Sequence, residues 1–475
     1  MTCNRASSLS GCLDSFLANF RHSDRAPEII VADDSSAAGS EDVRSVLLSL
    51  DDRGAQHIRY AGRLERSRYA DALAKESGTA PDVVRFALLG DSRCTLSTGA
   101  NRNALLLDTI DSLVMSVDDD TRGEVASAPG AEDGLSFFTG YDPTEFWFFP
   151  DRTAALASVS FEPIDILRLH ETLLGRATAD FGGAPDSRGR VAVTLNGLVG
   201  DSGMRSPRYY LMLSGDSRRR LVASEAGYRS AFQSREILRS VRRPTVSTGP
   251  FLMTTFFGLD NRVLLPPFFP VQRNSDGIFG LMLQKTTSHR TALLPYVLLH
   301  APPPRTFEPD AILTDADRLQ LADVIMNCVF AFNAGAGLPD ETRLNRLGRH
   351  LRWLGSLGLA EFDAYVRSQQ QFRTMAFVTA LQAQLQANAG EPQYWAADVA
   401  RMIERLSTAA SAGDYTSPRD LSTGEAADAG RRLGQELVER FGELLEAWPA
   451  IVAAARTLRE RGLRVTAPVR AERQA

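Results

Sequence analysis

A short apolar run that ends in three consecutive carboxylates constrains the fold of this chain more than any other stretch. Residues 111–123 read DSLVMSVDDDTRG, and the β-forming side chains of 113–117 predict a buried strand. In an open α/β sheet, ligands bind in the crevice beyond the carboxyl ends of the strands. Asp118, Asp119 and Asp120 would lie there, where carboxylate oxygens suit Mg²⁺ or Mn²⁺. An Asp-rich turn that caps the next element is the alternative interpretation.

The size and composition of the chain narrow its class. At 475 residues it is too long for one ordinary domain. A net charge of −5 argues against a general nucleic-acid binder. No apolar run approaches the roughly 18 residues of a transmembrane helix, and the N-terminus lacks the pattern of a secretory signal, so we expect a cytoplasmic protein. The four cysteines lack CxxC spacing, which argues against a zinc site or a disulfide framework.

Apolar periodicity predicts strands that alternate with helices in the first part of the chain. Strands are expected at 28–32 and 57–61, with a helix near 41–52 between them. Such alternation is typical of βαβ units and of a mainly parallel sheet. Further segments that read as strands are VVRFALL at 83–89, RVAVTL at 190–195, RYYLML at 208–213 and LPYVLLH at 294–300.

Four motifs, in this order, resemble the nucleotide-binding half of a family 2 (GT-A fold) glycosyltransferase. They are Thr2-Cys3-Asn4-Arg5, Val31-Ala32-Asp33-Asp34-Ser35-Ser36, Gly99-Ala100-Asn101-Arg102-Asn103 and Asp118-Asp119-Asp120. Members of that family carry a T-x-N-R turn, a strand ending in V-x-D-D-x-S, a G-x-x-x-R-N helix start and a strand ending in D-x-D. Each motif is weak alone, but their common order across about 120 residues is much more specific.

The resemblance implies a fold, an activity and a set of ligands. The fold would be α/β, with a GT-A-like, mainly parallel nucleotide-binding sheet flanked by helices, over residues 1–308. Within it, 1–125 would form the nucleotide-binding half and 190–308 the acceptor half. The activity would be transfer of a sugar from a UDP- or GDP-sugar to a glycan, peptide, lipid or metabolite, with inversion at the anomeric carbon. Mn²⁺ or Mg²⁺ would be the cofactor.

The resemblance also implies roles for residues of the nucleotide-binding half. Asp33 and Asp34 would hold the base and the ribose. Arg102 and Asn103 would brace the nucleotide pocket. The family's first strand should precede Thr2, and none does in this sequence. The resemblance therefore implies either that this strand is dispensable or that an upstream segment supplies it.

By the same resemblance, the Asp triplet and a late histidine would form the metal site. Asp118 and Asp120 would both lie next to the metal, or would contact the ribose and the metal respectively. Asp119 would complete the nucleotide-binding set, although side-chain alternation along an extended chain points it elsewhere. Some GT-A enzymes add a late histidine ligand, and His300 ends a strand-like run at a suitable place. A structural role at the strand end is the alternative for His300, and His289 is the second candidate for the late histidine.

A segment in the acceptor half resembles the element that supplies the family's catalytic carboxylate. It reads Asn274-Ser275-Asp276-Gly277-Ile278-Phe279-Gly280. In the family a carboxylate here opens a helix against the anomeric carbon, so Asp276 is the candidate general base. Ser275 stands where many members have a second acid. An N-cap of the following helix is the alternative role for Asp276.

Two further stretches, at 200–203 and 309–475, carry a recognisable pattern. GDSG at 200–203 matches the nucleophile loop of chymotrypsin-like proteases, but Gly-Asp-Ser recurs at 90 and 215, and the α/β pattern is wrong for that fold. From 309 to 475, alanine, leucine and arginine with helical periodicity predict an all-α C-terminal domain. This domain could bind the acceptor, join copies of the chain into a homo-oligomer or form a lid.

Two other functions compete with a glycosyltransferase. A sugar nucleotidyltransferase would use a related sheet, but the Gly-rich basic phosphate loop of such enzymes is not visible in the sequence. A catalytically inactive GT-like module could instead bind a partner through the helical domain. Carboxylates at 118, 120 and 276 argue against that second alternative.

Overall fold

The computed structural model describes residues 1–52, 57–181, 189–308, 310–314, 319–335, 337–413, 417–421 and 427–470. Helices and strands both contribute extensively to this part of the chain, so the predicted α/β class is confirmed. Among these residues, no helix combines the length and the apolar character that crossing a membrane requires.

The strands and helices are numbered along the chain. The strands are β1 (Ile29–Ala32), β2 (Ile58–Ala61), β3 (Leu113–Val117), β4 (Thr121–Ser127), β5 (Ser136–Phe138), β6 (Glu145–Phe148), β7 (Phe161–Glu162), β8 (Val191–Asp201), β9 (Glu236–Ser240), β10 (Thr245–Ser247), β11 (Phe256–Asp260), β12 (Arg290–His300) and β13 (Ala467–Pro468). The α-helices are α1 (Ala6–His22), α2 (Ala37–Asp52), α3 (Arg63–Ser77), α4 (Pro81–Leu89), α5 (Thr98–Asp108), α6 (Arg152–Ala157), α7 (Ile166–Glu171), α8 (Gly215–Leu221), α9 (Glu225–Ala231), α10 (Ser275–Thr286), α11 (Ala311–Thr314), α12 (Leu321–Phe330), α13 (Asp340–Gly355), α14 (Leu359–Ala387), α15 (Gln393–Ala412) and α16 (Ala427–Glu460). Thr178–Asp180 and Pro207–Met212 are short 3-10 helices.

The strands form two sheets of mixed direction. β1 and β2 are parallel, as the βαβ pattern predicts, and β13 adds an antiparallel third strand. The second sheet has ten strands around the order β3-β11-β8-β12-β10-β5. Among its described ladders, only β8 with β12 and β5 with β10 are parallel. The mainly parallel sheet implied by the resemblance is therefore not confirmed. Parallel neighbours need long crossover connections, and few long helices separate the strands after β3.

Two of the predicted strands are helical. Residues 83–89 lie in α4, and most of 208–213 lies in the 3-10 helix that begins at Pro207. Both elements have proline in the first helical turn, where its missing N–H costs nothing. A short apolar run that is buried on several sides gives no period that separates a strand from a helix.

The C-terminal helices share their core with the sheets. One continuous cluster of buried side chains runs from Ala61 to Val465 and includes residues of α3, α10 and α16. Trp448 of α16 donates its indole N–H to the Leu265 carbonyl at 2.8 Å. The helices predicted after 308 are confirmed by α11 to α16, but the chain then returns to the first sheet as β13, so the described part of this segment is not entirely helical.

A buried histidine makes folding sensitive to acid. His170 of α7 is buried, its Nδ1 lies 2.7 Å from Thr194 Oγ1, and burial lowers its pKa to about 3. The unfolded chain takes up a proton below an ordinary pKa near 6.5, whereas the folded chain does not. We therefore expect the free energy of unfolding to fall as the pH drops from about 6.5 towards 3, by at most about 1.4 kcal/mol per pH unit.

Denaturant unfolding of the wild type and His170→Gln at several pH values measures this effect. Between pH 6.5 and 4.5, unfolding of the variant should take up about one proton fewer than unfolding of the wild type, so its free energy of unfolding should depend less on pH. His22→Gln, at an exposed position, is the control and should keep the wild-type slope. An unchanged slope in His170→Gln would mean that another group titrates.

Candidate functional site

The Asp triplet forms the turn between β3 and β4 and is held in place by main-chain hydrogen bonds. Asp118 N donates to Thr255 O at 3.0 Å, and Thr121 N donates to Asp118 O at 3.2 Å. Ala301 N donates to Asp120 O at 2.7 Å. Because Ala301 follows β12 directly, the end of that strand arrives next to the triplet.

Asp120 and His300 face each other across this junction. His300 Nε2 lies 3.4 Å from Asp120 Oδ1, and its Nδ1 lies 2.6 Å from the Asp201 carbonyl oxygen. A carbonyl only accepts hydrogen bonds, so Nδ1 carries a proton and Nε2 faces the carboxylate. Burial lowers the pKa of His300, but the hydrogen bond and charge of Asp120 outweigh it, and the pKa is raised above its ordinary value.

Arg102 links Asp118 to the start of α10. Its Nη2 lies 3.4 Å from Asp118 Oδ1, and its Nη1 donates to Ser275 Oγ at 3.2 Å. The Asp118 side chain remains 32% exposed, yet the surrounding protein buries it enough to raise its pKa to about 6. Arg102 itself is buried, and its Nε has no hydrogen-bond partner among the described residues. The guanidinium therefore retains an unused donor beside the triplet.

Asp119 turns towards the N-terminal segment. Its Oδ2 accepts from Thr2 Oγ1 at 2.8 Å, and its Oδ1 lies 3.3 Å from Arg5 Nη1. The same Arg5 nitrogen donates to Asp120 Oδ2 at 2.8 Å. Thr2 N also donates to Ala32 O at 3.0 Å, which places the triplet beside the end of β1. The motifs at 2–5 and 118–120 are thus in direct contact.

Asp33 supports its turn from inside the protein. Its side chain has no exposed surface and accepts hydrogen bonds from Ser35 N, Ser35 Oγ, Ser40 Oγ and Tyr60 Oη at 2.5–2.9 Å. A carboxylate enclosed in this way has no free face for a base or a ribose. The predicted ligand contact at this motif would therefore belong to its neighbour, Asp34.

Asp34 follows Asp33 in the same turn, and its side chain, which is 11% exposed, lies among three donors. Arg66 and Arg63 reach its Oδ1 at 2.6 and 3.1 Å, and Ser97 Oγ donates to its Oδ2. Arg66 is fully buried and also donates to the Asp33 carbonyl at 3.1 Å, whereas Arg63 is 52% exposed. Sequence reasoning missed both arginines, because RLERSR carries no motif beyond helical periodicity.

Asn103 and Gly99 join α5 to the segment 268–270. Asn103 accepts from Phe268 N at 2.7 Å and donates to Phe268 O at 2.9 Å, and its side chain is fully buried. A Cβ on Gly99 would lie 1.8 Å from the Phe269 carbonyl oxygen, so a glycine is needed for this approach. Asn103 therefore fixes this segment to α5, and its predicted role in bracing a nucleotide pocket stays a prediction.

Asp276 occupies the first turn of α10. Asn274 is the N-cap residue of this helix, with a φ of 65°, so the alternative prediction of Asp276 as the N-cap is wrong. The Asp276 side chain is partly buried, and its Oδ1 accepts from Gly277 N at 3.0 Å. Its neighbour Ser275 contacts Arg102, which in turn contacts Asp118. The candidate base therefore lies one residue away from the chain of contacts that leads to the triplet.

The donor atoms offer a partial metal site. The described residues contain no group of three or more His, Cys, Asp or Glu side chains arranged to bind a metal ion. Asp120 Oδ1 and His300 Nε2 nevertheless face each other at 3.4 Å, and His300 has the carbonyl-bonded Nδ1 that is common among metal-binding histidines. Asp118 adds a partly exposed carboxylate two residues away. Carboxylate and imidazole are donor types that divalent cations accept.

No model of a known protein family matches the chain, and no curated protein matches its sequence. Function is therefore inferred from the motifs and from the geometry of this site.

Proposed function

We propose that the chain is a metal-dependent glycosyltransferase of the GT-A type, which moves a sugar from a nucleotide-sugar donor to an acceptor. The supporting observation is that motifs far apart in sequence meet at one place. Arg102 lies 3.4 Å from Asp118 and 3.2 Å from Ser275, and His300 lies 3.4 Å from Asp120.

The chain's own residues divide into a nucleotide side and a metal side. Asp34, with the exposed Arg63 beside it, is the group that we assign to the base and ribose. Asp118, Asp120 and His300 would hold Mn²⁺ or Mg²⁺. When bound, the cation stabilises the negative charge that develops on the leaving diphosphate. Electrostatic stabilisation of this kind is often the largest contribution to catalysis.

Asp276 is the proposed general base. It would accept the proton of an acceptor hydroxyl as that oxygen attacks the anomeric carbon from the side opposite the diphosphate. One carbon–oxygen bond forms while the bond to the diphosphate breaks, so the configuration at the anomeric carbon inverts. Asp276 lies in the first turn of α10, two residues after the N-cap residue Asn274.

A non-catalytic nucleotide-binding module is the second candidate, and one observation favours it. Arg5 contacts both Asp119 and Asp120, and Arg102 contacts Asp118, so the triplet is balanced by cationic side chains without any metal. A module that bound nucleotides through Asp34 alone would need no further cation.

A screen of nucleotide-sugar hydrolysis distinguishes the two candidates. We expect at least one UDP- or GDP-sugar to be hydrolysed at least about tenfold faster with Mn²⁺ than with EDTA, because water can replace the acceptor and the cation stabilises the leaving group. Asp276→Asn protein prepared in parallel controls for contaminating hydrolases. Nucleotide binding without turnover of any donor would favour the non-catalytic module. Neither binding nor turnover would contradict both.

A further inference from the structure

The GDSG turn at 200–203 has no part in the chemistry above, yet it lies against His300. It ends β8, which runs parallel to β12 with Gly200 opposite His300. Ser202 is completely buried and its N–H donates to the Arg235 carbonyl at 2.7 Å, so it is not placed as a protease nucleophile. The turn therefore needs another explanation.

The Asp201 side chain is gripped by two arginines. Arg235 donates to its two oxygens at 2.8 and 3.1 Å, and Arg305 does so at 2.9 and 3.1 Å. Gly203 N adds a fifth donor at 2.7 Å. Asp201 is fully buried, and the two guanidinium groups outweigh the effect of that burial and hold its pKa well below the usual range. Arg235 and Arg305 thus hold the turn in one conformation through Asp201, and we call these two arginines and Asp201 the clamp.

The clamp sets the position of a backbone carbonyl. The Asp201 carbonyl oxygen lies 2.6 Å from His300 Nδ1. Gly200 has a φ of +113°, and a Cβ there would lie 2.3 Å from the His300 carbonyl oxygen. Only glycine allows the two strand ends to approach in this way. The turn therefore contacts both the side chain and the main chain of His300.

We propose that the Gly200–Gly203 turn is the positioning element of the metal site. Arg235 and Arg305 hold Asp201, the Asp201 carbonyl accepts the Nδ1 proton of His300, and Nε2 is thereby left as the atom that faces Asp120. This inference rests on the proposed function, in that His300 is taken to bind the cation. Asp201 and its arginines contact neither the cation nor the substrate and act through His300. Partners of this kind commonly change metal affinity by about 10- to 100-fold when they are removed.

Arg305→Gln tests the clamp against a closely matched control. The Arg305 side chain is 46% exposed, and it contacts the Asp201 carboxylate, which is 1% exposed. The control is Arg262, whose side chain is 43% exposed and makes two hydrogen bonds to the fully buried Asp260 carboxylate. Asp260 pairs with Leu113 at the opposite end of β3 from the triplet. Loss of a positive charge by itself would tighten cation binding. A weaker affinity in Arg305→Gln can therefore only come from lost positioning.

Calorimetry with Mn²⁺ alone measures the effect on the full-length protein. We expect Arg305→Gln to bind Mn²⁺ at least about tenfold more weakly than the wild type, and Arg262→Gln to stay within about twofold. Arg305→Lys restores the charge without the two hydrogen bonds of the guanidinium, and its affinity for Mn²⁺ should remain weakened. This variant replaces Arg305→Gln if Arg305→Gln does not fold. Unchanged or tighter binding in both Arg305 variants would overturn the proposal.

The tautomer of His300 gives a second measurement that needs no metal. ¹⁵N-histidine NMR at about pH 8.5, with the signal assigned by its loss in His300→Gln, should show the Nδ1–H form in the wild type. Arg305→Gln should show a mixture of the two forms. An Nε2–H tautomer in the wild type would overturn the inference whatever the metal does. If the wild type binds no Mn²⁺, the metal site of the proposed function is wrong, and the tautomer alone decides the role of the turn.

Discussion

Asp276→Asn is expected to slow sugar transfer by at least about a hundredfold while donor affinity stays nearly unchanged. A general base contributes typically about 10²–10⁴-fold to a rate by accepting a proton in the transition state. The amide keeps the shape of the carboxylate and can still accept from Gly277 N, but it cannot take that proton at neutral pH. Since Asn274 rather than Asp276 is the N-cap residue of α10, the substitution should cost little stability.

Asp82→Asn is the matched control for this experiment. Asp82 occupies the same second helical position in α4, is exposed, and lies outside the site. Transfer rates, donor affinity by calorimetry and melting temperatures are measured for both variants and the wild type. Retained transfer in Asp276→Asn would mean that another group is the base. Loss of folding would assign Asp276 a structural role instead.

Trp448→Ala is expected to lower the free energy of unfolding by about 3–5 kcal/mol. The indole of Trp448 is 1% exposed within the largest core cluster, and its N–H is bonded to the Leu265 carbonyl. Truncation removes buried apolar surface, leaves a cavity and orphans that carbonyl. Trp353→Ala, on a side chain that is 56% exposed, should change stability by about 0.5 kcal/mol or less.

The shape of the unfolding curve carries more information than its midpoint. Because α16 shares one core with the sheet segments, Trp448→Ala should shift the melting of helices and sheets together. Two separate transitions, with the transition of the sheet region at its wild-type temperature, would show that the C-terminal helices form an independent domain.

The parts of the fold that depend on local pattern could be predicted from the sequence. Strands expected at 28–32 and 57–61 are β1 and β2 within one residue at each end, and the Asp triplet does follow a strand. Strand direction could not be predicted, because the pairing of β11 with β3 joins segments about 140 residues apart. The helix at 83–89 was missed since its buried apolar side chains show no decisive period.

Part of the candidate site could likewise be predicted from the sequence and part could not. The side chains of His300 and Asp120, which the resemblance places in one ligand set, lie 3.4 Å apart, and their role as metal ligands stays a prediction. The enclosed position of Asp33 and the clamp on Asp201 could not be read from sequence, because tertiary contacts decide which donors surround a carboxylate. GDSG matches a protease loop that the α/β pattern already argued against, and the motif carried no signal of its contact with His300.

The central claim is that Asp118 and Asp120 hold a cation through which the donor nucleotide binds. Its most direct test is calorimetry of UDP and GDP binding, with and without Mn²⁺, on the wild type and on a variant that combines Asp118→Ala with Asp120→Ala. We expect Mn²⁺ to strengthen nucleotide binding to the wild type and to have no effect on the double variant. Metal-dependent nucleotide binding that persists unchanged in the double variant would contradict the claim.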